Sequence, residues 1–473
     1  MADKTISKDT NKSNQLVDDL TGFVSVRFGN TVISTKKNPD NAAENIPQYV
    51  QSFNFERVTN GLGNFTLVLV DDQWTVIEQL IQDNKGKLKI QYGMLSSTVT
   101  ISDTTSEKTN KSPEINAQIY TFDLDMQLDY VVITIQGLCL GTGLLGNSVV
   151  GSNAIEKEAM VTGVLKSGLD ARASFTISEL VNNIAGALGY DPAHRNIDKT
   201  TNTWTKADLG TTEDLQQALT FDSATVLNVV VKSLIRKASS ASDKKSPYVF
   251  YISTNDKGEE VFNFHRHTQS LEKPAKRVLT LFSDPTSHVK SFKPSFEHEV
   301  MNVFAGKSVV AYGYDPLTGT MMKIDYSVEN GPSKQNPQEA TERYKKASYQ
   351  GGPREVNDVS LKAITAQMSV SPLTADLIMV GDATYNLMEC IDVYVNIPTG
   401  PLKGKPHNTS SRFIILGILD SIRDGVYETV LKLGTGSGFT PLGQVLTNVA
   451  ANNAAVEAKL AADNKKYADT STK

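Results

Sequence analysis

The sequence has little of what disulfide frameworks, secretion signals and membrane spans require. Among 473 residues there are only two cysteines, Cys139 and Cys390, and each lies in or beside a strand-like apolar run. This excludes a disulfide framework and predicts two buried thiols rather than a bridge. No apolar run approaches the ~18 residues that cross a bilayer. Residues 1–15 lack the hydrophobic core of a signal peptide, so we expect synthesis in a cytoplasm without secretion by the usual route.

Charge of one sign is also scarce. The formal net charge is −5, from 47 Lys and Arg against 52 Asp and Glu. A protein that binds nucleic acid firmly presents a basic face, so this composition gives no global attraction to DNA. A hydrophobic content of 39% and a charged content of 21% are typical of a globular chain. The length favours about three domains.

The most regular stretch is "RFIILGILDSIRDGVYETVLKL", residues 412–433. The Asp424-Gly425 step separates two β-rich runs, and glycine tolerates the positive φ that a tight turn needs. The pattern therefore predicts two long antiparallel strands over residues 413–433.

A second stretch, "YTFDLDMQLDYVVITIQGL" (120–138), has the same pattern of a strand, a short acidic turn and a strand. A short strand lies upstream of each hairpin: "KLKIQYG" (87–93) before this one, and "CIDVYVN" (390–396) before 412–433. This correspondence predicts an internal duplication, in which one chain carries two copies of one β-barrel. The alternative is two unrelated hairpins, since all β-domains are built from hairpins.

The first part of the chain has mostly strand signals. Residues 1–20 are polar and predict a flexible arm, and residues 21–155 predict a first β-domain. Within that domain, "TVIEQLIQDN" (75–84) predicts a short helix and residues 101–118 a polar loop. The apolar face of the helix is predicted to consist of Val76, Ile77, Leu80 and Ile81.

The middle of the chain, residues 156–288, changes to a helical period and predicts an α+β insertion. A Thr176-x-x-Glu179 capping box opens a helix whose apolar stripe runs from Ile177 to Leu188. A second helix is predicted from about Asp222 to Ala238, with Val226, Val229, Val230 and Leu234 on its apolar face. A hairpin follows, with its turn at residues 255–258.

Strand signals return over residues 289–435 and predict a second β-domain. Residues 329–357 form a long stretch rich in Lys, Gln, Pro and Gly, which we expect to be an exposed, mobile loop. Residues 436–473 form an Ala-rich tail with heptad-like spacing from Leu446 to Leu460.

Four segments of this last part carry a family resemblance. They are "VKSFKPSFEHEVMNVFAG" (289–306), "YDPLTGTMMKIDY" (314–326), "IMVGDATYNLMECIDVYVN" (378–396) and the terminal hairpin. With the order of β-domain, α+β insertion and β-domain, the chain resembles the baseplate hub proteins of tailed-phage tails and related contractile injection systems. The resemblance covers about 20–435. It implies a β-rich α+β fold, with two tail-tube-like β-barrel domains flanking the α+β insertion.

In that family, three chains form a pseudo-sixfold ring between a hexameric tail tube and a trimeric spike, and DNA passes through the bore. The resemblance therefore implies a structural protein of the virion tail baseplate, assembled in the host cytoplasm. The implied partners are two further copies of the chain, a tail tube protein, a spike or tail-tip protein, tape measure and wedge proteins, and transient DNA. The tail 436–473 would be a helix that docks on the trimer or spike, or else a frayed segment. The family pattern transfers no catalytic, cofactor or metal residues.

Two stretches raise the question of a ligand site. "GTGLLG", Gly141 to Gly146, fits a dinucleotide fingerprint after a strand. The fingerprint requires a helix to open there, and "NSVVGSN" has no helical stripe, so we expect a flexible exit from the first β-domain. The His265-Arg266-His267 run places two imidazoles on one face of a strand, a spacing that can hold a metal. A third ligand would have to come from elsewhere, with His288 and His298 the only histidines near in sequence, and a solvated polar strand end is the preferred interpretation.

Two further function classes are alternatives. A tail-associated cell-wall hydrolase would need a nucleophile or a carboxylate pair. Cys390 has only His407 after it, Glu179 and Asp191 fit a capping box and a turn, and no Gly-x-Ser-x-Gly elbow occurs. A receptor- or carbohydrate-binding tail protein would need an aromatic cluster. The two tryptophans, Trp74 and Trp204, lie far apart in sequence. The sequence therefore predicts a structural protein that is not an enzyme.

Overall fold

The structure is a computed structural model of a β-rich α+β protein, the fold class that the sequence predicts. The predicted arm, apart from Leu20, and the predicted tail lie outside the described residues. The described residues are 20–29, 31–35, 49–82, 86–96, 110–141, 144, 148–151, 174–200, 203–205, 221–225, 227, 230, 234–235, 238, 247–267, 269–272, 275–281, 288–296, 308–315, 320–327, 331–332, 348–351, 373–405, 407 and 409–435.

Strands dominate every part of the chain that the structure describes. Those before the insertion are β1 Leu20–Phe28, β2 Thr31–Ser34, β3 Tyr49–Val58, β4 Gly63–Asp71, β5 Lys87–Ser96, β6 Asn110–Lys111, β7 Ile115–Met126, β8 Val131–Leu140 and β9 Ser148–Gly151. Those of the middle are β10 Ser174–Thr176, β11 Arg195–Ile197, β12 Thr203–Thr205, β13 Phe221–Thr225, β14 Tyr248–Thr254, β15 Glu260–Arg266 and β16 Arg277–Leu281. Those of the last part are β17 Val289–Phe296, β18 Ser308–Asp315, β19 Thr320–Ser327, β20 Gly331–Pro332, β21 Ser348–Gly351, β22 Leu373–Val380, β23 Cys390–Val395, β24 Ser411–Arg423 and β25 Val426–Gly434.

The described helices are α1 Thr75–Gln82, α2 Ile177–Ala187 and α3 Gln269–Glu272, with a 3-10 turn at Pro192–His194. The predicted capping box of α2 is confirmed, because Glu179 N donates to Thr176 Oγ1 at 3.1 Å and Thr176 N donates to Glu179 Oε2 at 2.9 Å. Helix α1 is also confirmed, but its predicted apolar face is wrong at Ile81, whose side chain is 62% exposed. Asp71 Oδ2 caps α1 by accepting from Val76 N at 2.8 Å.

The predicted second helix of the insertion is wrong at its start. Residues 221–225 form β13, which pairs antiparallel with β9. Helical conformation is found later, at residues 227, 230, 234 and 235, where Val230 and Leu234 are fully buried as the pattern indicates. The distant strand β9 offers residues 221–225 a ladder of hydrogen bonds, and this tertiary partner overrides the local helical pattern.

Two predicted loops contain strands. The polar stretch 101–118 includes β6 and the first residues of β7, which pair with β5. The stretch 329–357 includes β20 and β21, which flank β19 and β18 in a four-stranded sheet. Both are short additions to hairpins that the sequence pattern does identify.

The main sheet has 14 strands and contains two units with the same strand order. The first unit runs β3-β4-β8-β7-β5-β1, and the second runs β17-β22-β25-β24-β23-β16. The units differ at the last strand, since β1 is antiparallel to β5 whereas β16 is parallel to β23. The two hairpins that the sequence pairs, β7–β8 and β24–β25, occupy the same place in each unit.

Two β-bulges occur at equivalent places in the two units, whereas the β4–β8 bulge at Gly63 and Asn64 has no counterpart in β22–β25. The β3–β4 pairing shifts register between Val50 and Ser52, and the β17–β22 pairing shifts between Val289 and Ser291. The two hairpins have a second shared bulge, between Ile119 and Thr121 in β7 and between Ile415 and Gly417 in β24. A bulge adds one residue to one strand and is a specific feature of a ladder. The shared bulges therefore fix a residue-by-residue equivalence between the units.

The hydrophobic interior consists of two clusters that share strand β14. One cluster contains the first unit together with α1, α2 and buried residues of the insertion, and the other lies in the second unit. Phe250 and Ile252 of β14 belong to the first cluster, whereas Val249 and Tyr251 belong to the second. Successive strand side chains point to opposite faces, so β14 is buried on both faces and supports both clusters.

The insertion is attached to the first unit through main-chain contacts. Asn60 N donates to Phe250 O at 2.6 Å, and Phe250 N donates to Asn60 Oδ1 at 2.9 Å. At the turn between β14 and β15, a Cβ on Gly258 would lie 2.3 Å from Glu114 O. The hairpin is thus held against the first unit at both of its ends.

Candidate assembly surface

The two units meet inside the chain at what we call the internal joint, where β24 pairs antiparallel with β3. The pairing runs from Gly417 opposite Val58 to Arg423 opposite Ser52. The β24–β25 turn at Asp424 and Gly425 has φ values of 51° and 81°, as the predicted Asp-Gly hairpin requires. The joint therefore positions the end of this hairpin against the first unit.

A buried polar network lies at the centre of the internal joint. Arg57 Nη2 donates to Asp420 Oδ2 at 2.8 Å, and Tyr92 Oη donates to the same oxygen at 2.9 Å. Tyr427 Oη and Thr429 Oγ1 each donate to Asp420 Oδ1 at 2.8 Å. The carboxylate of the second unit is thus saturated by donors from both units, as a buried charge requires.

Burial and charge together fix the protonation of the donors. Burial raises the pKa of the Tyr92 and Tyr427 phenols far above their ordinary value, and the Asp420 charge raises both further, so they stay neutral donors. Desolvation opposes the charge on Arg57, but the charge and hydrogen bond of the Asp420 carboxylate outweigh it and the pKa of Arg57 lies above its ordinary value. The Arg57 guanidinium also lies over the Phe55 ring, 5.2 Å from its centroid.

Apolar side chains of the second unit complete the internal joint. Ile422 and Tyr427 belong to the hydrophobic cluster of the first unit, and the Tyr427 ring meets the Tyr92 ring edge to face with centroids 6.2 Å apart. Gly22 N donates to Gly425 O at 2.8 Å, and a Cβ on Gly22 would lie 2.9 Å from Tyr427 Cβ. The β24–β25 hairpin is therefore packed tightly into the first unit.

The equivalent hairpin of the first unit, β7–β8, has no such cover within the described chain. β7 pairs with β5 only over residues 115–118. From Thr121 to Met126 it pairs with β8 on one side, and no described strand lies on the other. Large apolar side chains are exposed along this hairpin: Tyr120 (51%), Met126 (56%), Leu128 (95%) and Tyr130 (41%). An open edge with exposed apolar residues is typical of an interface.

The equivalent of β3 in the second unit is β17, and its outer edge is open in the same way. Within the described residues β17 pairs with β22 alone. Lys293 of β17 is exposed, as are Asp123 and Asp125 of β7. Lys290 of β17 is also exposed, but it is ion-paired with Glu428 of β25 in the same chain. The open edge of the first unit is thus acidic and that of the second is basic.

The glycine-rich stretch that begins at Gly141 is not arranged as a phosphate loop in its described residues. Gly141 N donates to Glu260 Oε1 at 3.1 Å, so its amide already has an acceptor. Leu144 is fully buried and donates its N–H to Gly141 O. The expected flexible exit is wrong at these two residues, because both are packed between the first unit and the insertion.

His265 and His267 share one face of β15, as the sequence indicates, but both are buried. The interpretation as a solvated strand end is therefore wrong, because both imidazoles are shielded from water, His267 completely. His265 Nε2 lies 3.1 Å from Tyr251 Oη, and its Nδ1 lies 3.0 Å from Arg266 O. Neither ring nitrogen of His267 has a hydrogen-bond partner among the described residues, and burial and His265 lower its pKa to about 4.

The residues considered for a hydrolase have structural roles. Cys390 is buried in β23 and burial raises its pKa to about 11, the reverse of what a nucleophilic thiolate needs. His407 Nδ1 lies 2.8 Å from Thr409 Oγ1. Glu179 belongs to the capping box, and Asp191 Oδ1 accepts from Ala193 N at 2.8 Å. Cys139 is also a buried free thiol, so the prediction for both cysteines is confirmed.

Neither a metal-binding cluster nor a membrane-spanning helix is found among the described residues. No group of three or more His, Cys, Asp or Glu side chains there could hold a metal ion. No helix in that part of the chain is both long and apolar enough to cross a bilayer.

Sequence reasoning misses the Arg57–Asp420 network. The sequence does contain a sign of a buried charge pair. Asp420 interrupts the apolar run "FIILGILDSI", and Arg57 is the next-to-last residue of the run "SFNFERV". A charge at a core-facing position predicts a buried partner. The partner itself lies 363 residues away, which no local pattern encodes.

Comparison with known proteins gives structural relatives. No protein-family model and no curated protein matches the sequence. A tail protein of Neisseria meningitidis matches with 9% identity and a TM-score of 0.47, over 88% of this chain and 97% of that chain. The 43 kDa tail protein of prophage MuSo2 from Shewanella oneidensis matches with 9% identity and a TM-score of 0.44, over 88% and 99%.

A structure of the PdpA–VgrG complex of Francisella matches with 8% identity and a TM-score of 0.46, over 93% of this chain and 62% of that chain. The chain resembles tail and baseplate proteins. At about one identical residue in ten, the likeness to these structures is one of fold alone.

Proposed function

We propose that the chain is a structural baseplate hub, and that three copies close into a pseudo-sixfold ring. One observation carries this proposal. Two units of equal strand order are joined inside the chain through β24 and β3, while the equivalent edges, β7 and β17, have no described strand beside them. If β7 of one copy pairs with β17 of the next, every joint in the assembly has the same form. A head-to-tail contact of this kind closes into a trimeric ring when each copy is rotated by a third of a turn from the last, and the ring then leaves neither of these two edges open.

The charges of the two edges support this pairing. Asp123 and Asp125 lie on the β7 edge, and Lys290 and Lys293 lie on the β17 edge. Opposite charges across an interface steer the correct contact and oppose the pairing of two like edges. The acidic β7 edge would therefore pair with the basic β17 edge of another copy rather than with the β7 edge of another copy.

In this ring each unit forms one tube-like β-barrel domain. The boundaries are those of the sequence pattern, with the first barrel at 21–155, the α+β insertion at 156–288 and the second barrel at 289–435. The six barrels would match a hexameric tail tube, and the threefold symmetry would match a spike. The work of the protein is then symmetry adaptation around a channel for DNA in the virion tail, without catalysis.

Negative-stain class averages of the purified chain, alone and with a candidate spike protein, test this function. Threefold rings with an open centre and six peripheral lobes are expected. Monomers or twofold particles, even with the spike present, would overturn the hub assignment.

A further inference from the structure

The internal joint indicates which kind of side chain an open cleft in the second unit can bind, because the two units have equivalent residues. In the first unit, Ile422 of the hairpin packs into the cluster that contains Phe53, Phe55, Tyr92 and Met94. The shared bulges give the counterparts of these residues in the second unit. On β17, Phe292 and Pro294 correspond to Phe53 and Phe55.

The counterparts on β23 follow from its pairing with β24. Gln118 and Ile414 are equivalent, since each lies one residue before the shared bulge. Lys87 pairs with Gln118 and Cys390 pairs with Ile414, so Lys87 corresponds to Cys390. Counting along both segments, Tyr92 then corresponds to Val395 and Met94 to Ile397. These four positions of the first-unit cluster are therefore occupied in the second unit by Phe292, Pro294, Val395 and Ile397.

These four residues line an open cleft of about 260 Å³, which Pro398 and His407 extend. We call it the second-unit cleft. Positions that share a hydrophobic cluster with Ile422 in the first unit, where Ile422 lies opposite Phe53, thus line an open cleft in the second. A mostly apolar lining fits an apolar side chain.

The side chain that corresponds to Ile422 is Met126. Ile422 pairs with Tyr427 across its hairpin, and Met126 pairs with Val131 at the same distance from the bulge. Met126 is 56% exposed, whereas Ile422 is 1% exposed. A methionine is flexible and fills irregular apolar gaps well.

We infer that the second-unit cleft is the binding site for Met126 of a neighbouring copy of this chain. This inference rests on the proposed ring and names the contact that closes it. Burial of Met126 removes the most exposed apolar side chain of β7 from water. It also fills the cleft beside Phe292, as Ile422 does beside Phe53.

The same equivalence sets the register between the two copies. Ser421 lies opposite Asn54 in the internal joint, so Asp125 of one copy lies opposite Lys293 of the next. Both side chains are exposed in the single chain, on the face away from the cleft. The ion pair fixes the position of β7 along β17, because a shift by two residues would remove it.

The buried polar network distinguishes the internal joint, where β24 pairs with β3, from the proposed joint between copies, where β7 pairs with β17. The counterpart of Asp420 is Leu124, and the counterpart of Arg57 is Phe296. If β7 of another copy displaced β24 from β3, Leu124 would face Arg57 and leave a buried guanidinium without its carboxylate. Such an unpaired buried charge is strongly unfavourable. The internal joint therefore excludes β7, and β7 is directed to β17.

Paired cysteines test the register directly. Arg423 and Val426 close the β24–β25 hairpin, so the backbone hydrogen bonds of Arg423 and Ser421 are made to β25. On the β3 side, Ser421 and Asn54 therefore form a pair without direct hydrogen bonds, with Cα atoms about 4.5 Å apart. A disulfide fits this distance. The double variant Asp125→Cys with Lys293→Cys is therefore expected to oxidise into covalent dimers and trimers on non-reducing gels. The control, Asp125→Cys with Ser295→Cys, is two residues out of register and is expected to stay mostly uncrosslinked.

A second experiment tests the cleft. By sedimentation, Met126→Asp is expected to weaken the association of copies about 10- to 100-fold per contact. Ile81→Asp introduces the same charge at a similarly exposed apolar side chain on helix α1, outside both open edges, and is expected to leave association within about twofold.

The outcomes distinguish the inference from the function on which it rests. The inference is overturned and the ring is kept if the wild type is a trimer, the variant Asp125→Cys with Lys293→Cys does not crosslink, and Met126→Asp weakens association no more than Ile81→Asp. A wild-type chain that stays monomeric at high concentration would overturn the ring itself.

Discussion

Asp420 interrupts an apolar strand and yet is completely buried, so its carboxylate must be compensated where it lies. Four side-chain donors surround it, and Arg57 supplies the opposite charge from the other unit. A buried ion pair contributes little more than an apolar pair of similar volume. Its value here is specificity, because only β24 places a carboxylate beside Arg57.

Removal of that carboxylate charge should therefore be costly. We expect Asp420→Asn to lower the free energy of unfolding by about 3–5 kcal/mol, since it leaves Arg57 buried without a counter-charge. Urea denaturation measures the loss. Asp376→Asn, on the exposed side of β22, is the matched control and should change stability by less than about 0.5 kcal/mol. Equal effects of the two variants would contradict the structural role of the network.

His267 gives the fold a dependence on acid. Its pKa is lowered to about 4 by burial and by His265, whereas an unfolded chain binds the proton near the ordinary value of 6.5. The unfolded state therefore binds more protons as the pH falls, and stability that is complete above about pH 6.5 is lost toward pH 4. We expect the wild type to lose about 2–3 kcal/mol more than His267→Leu between pH 7 and 4.5.

Urea unfolding of both proteins at several pH values measures this difference. Groups other than His267 titrate in both proteins, so their contributions cancel. Parallel curves for the two proteins would show that His267 takes up its proton in the folded state at its ordinary pKa.

At the scale of elements, the sequence predicts what is local. The Asp424-Gly425 hairpin, the Thr176 capping box and the 255–258 turn follow from backbone chemistry within a few residues, and the structure contains all three. The helix predicted from Asp222 begins as a strand because its partner, β9, lies about 70 residues earlier in the chain. Local pattern cannot identify such a partner.

The candidate surface was predictable only in part. The two hairpins can be matched from their alternation, and "VQSF" in β3 matches "VKSF" in β17 in the printed sequence. The shared bulges, which convert this likeness into an equivalence of residues, appear only in the ladder. The exposure of Met126 likewise depends on which strands lie beside β7. The pairing of β7 with β5 stops at Gln118 of β7, which leaves the residues after it without a described strand on that side.

The contact between the insertion and the first unit can be tested with two glycines. Gly258 and Gly189 both have positive φ, at 79° and 89°. A Cβ on Gly258 would lie 2.3 Å from Glu114 O, whereas a Cβ on Gly189 meets nothing within 4 Å. We expect Gly189→Ala to cost about 1 kcal/mol for its backbone conformation alone, and Gly258→Ala to cost at least about twice as much.

The excess for Gly258→Ala over Gly189→Ala, from urea or thermal unfolding, measures how firmly the turn is held against residues 113–114. An equal cost for the two variants would mean that the turn moves away from the first unit without penalty.

At the scale of the whole molecule, the internal joint and the proposed joint between copies differ in one measurable respect. The first is present in a single chain, and the second requires another copy. Association depends on concentration, whereas pairing within a chain does not.

Amide hydrogen exchange separates the two joints. We expect the amides of residues 53–57 to be protected equally at all protein concentrations. Protection of residues 122–126 and 292–296 should increase with concentration, as copies associate and cover these edges. Protection of residues 122–126 that is independent of concentration would place their partner within the chain.

The distance in sequence between Arg57 and Asp420 has a consequence for how the protein is made. A ribosome adds about 5–20 residues per second, so β3 leaves it about 20–70 s before β24 is synthesised. During that interval the edge of β3 is open, and the acidic β7–β8 hairpin of any nearby chain can reach it. The unpaired Arg57 makes that contact unfavourable, so the residue that later forms the buried ion pair also protects the nascent chain from premature association while its own C-terminal strand is still being made.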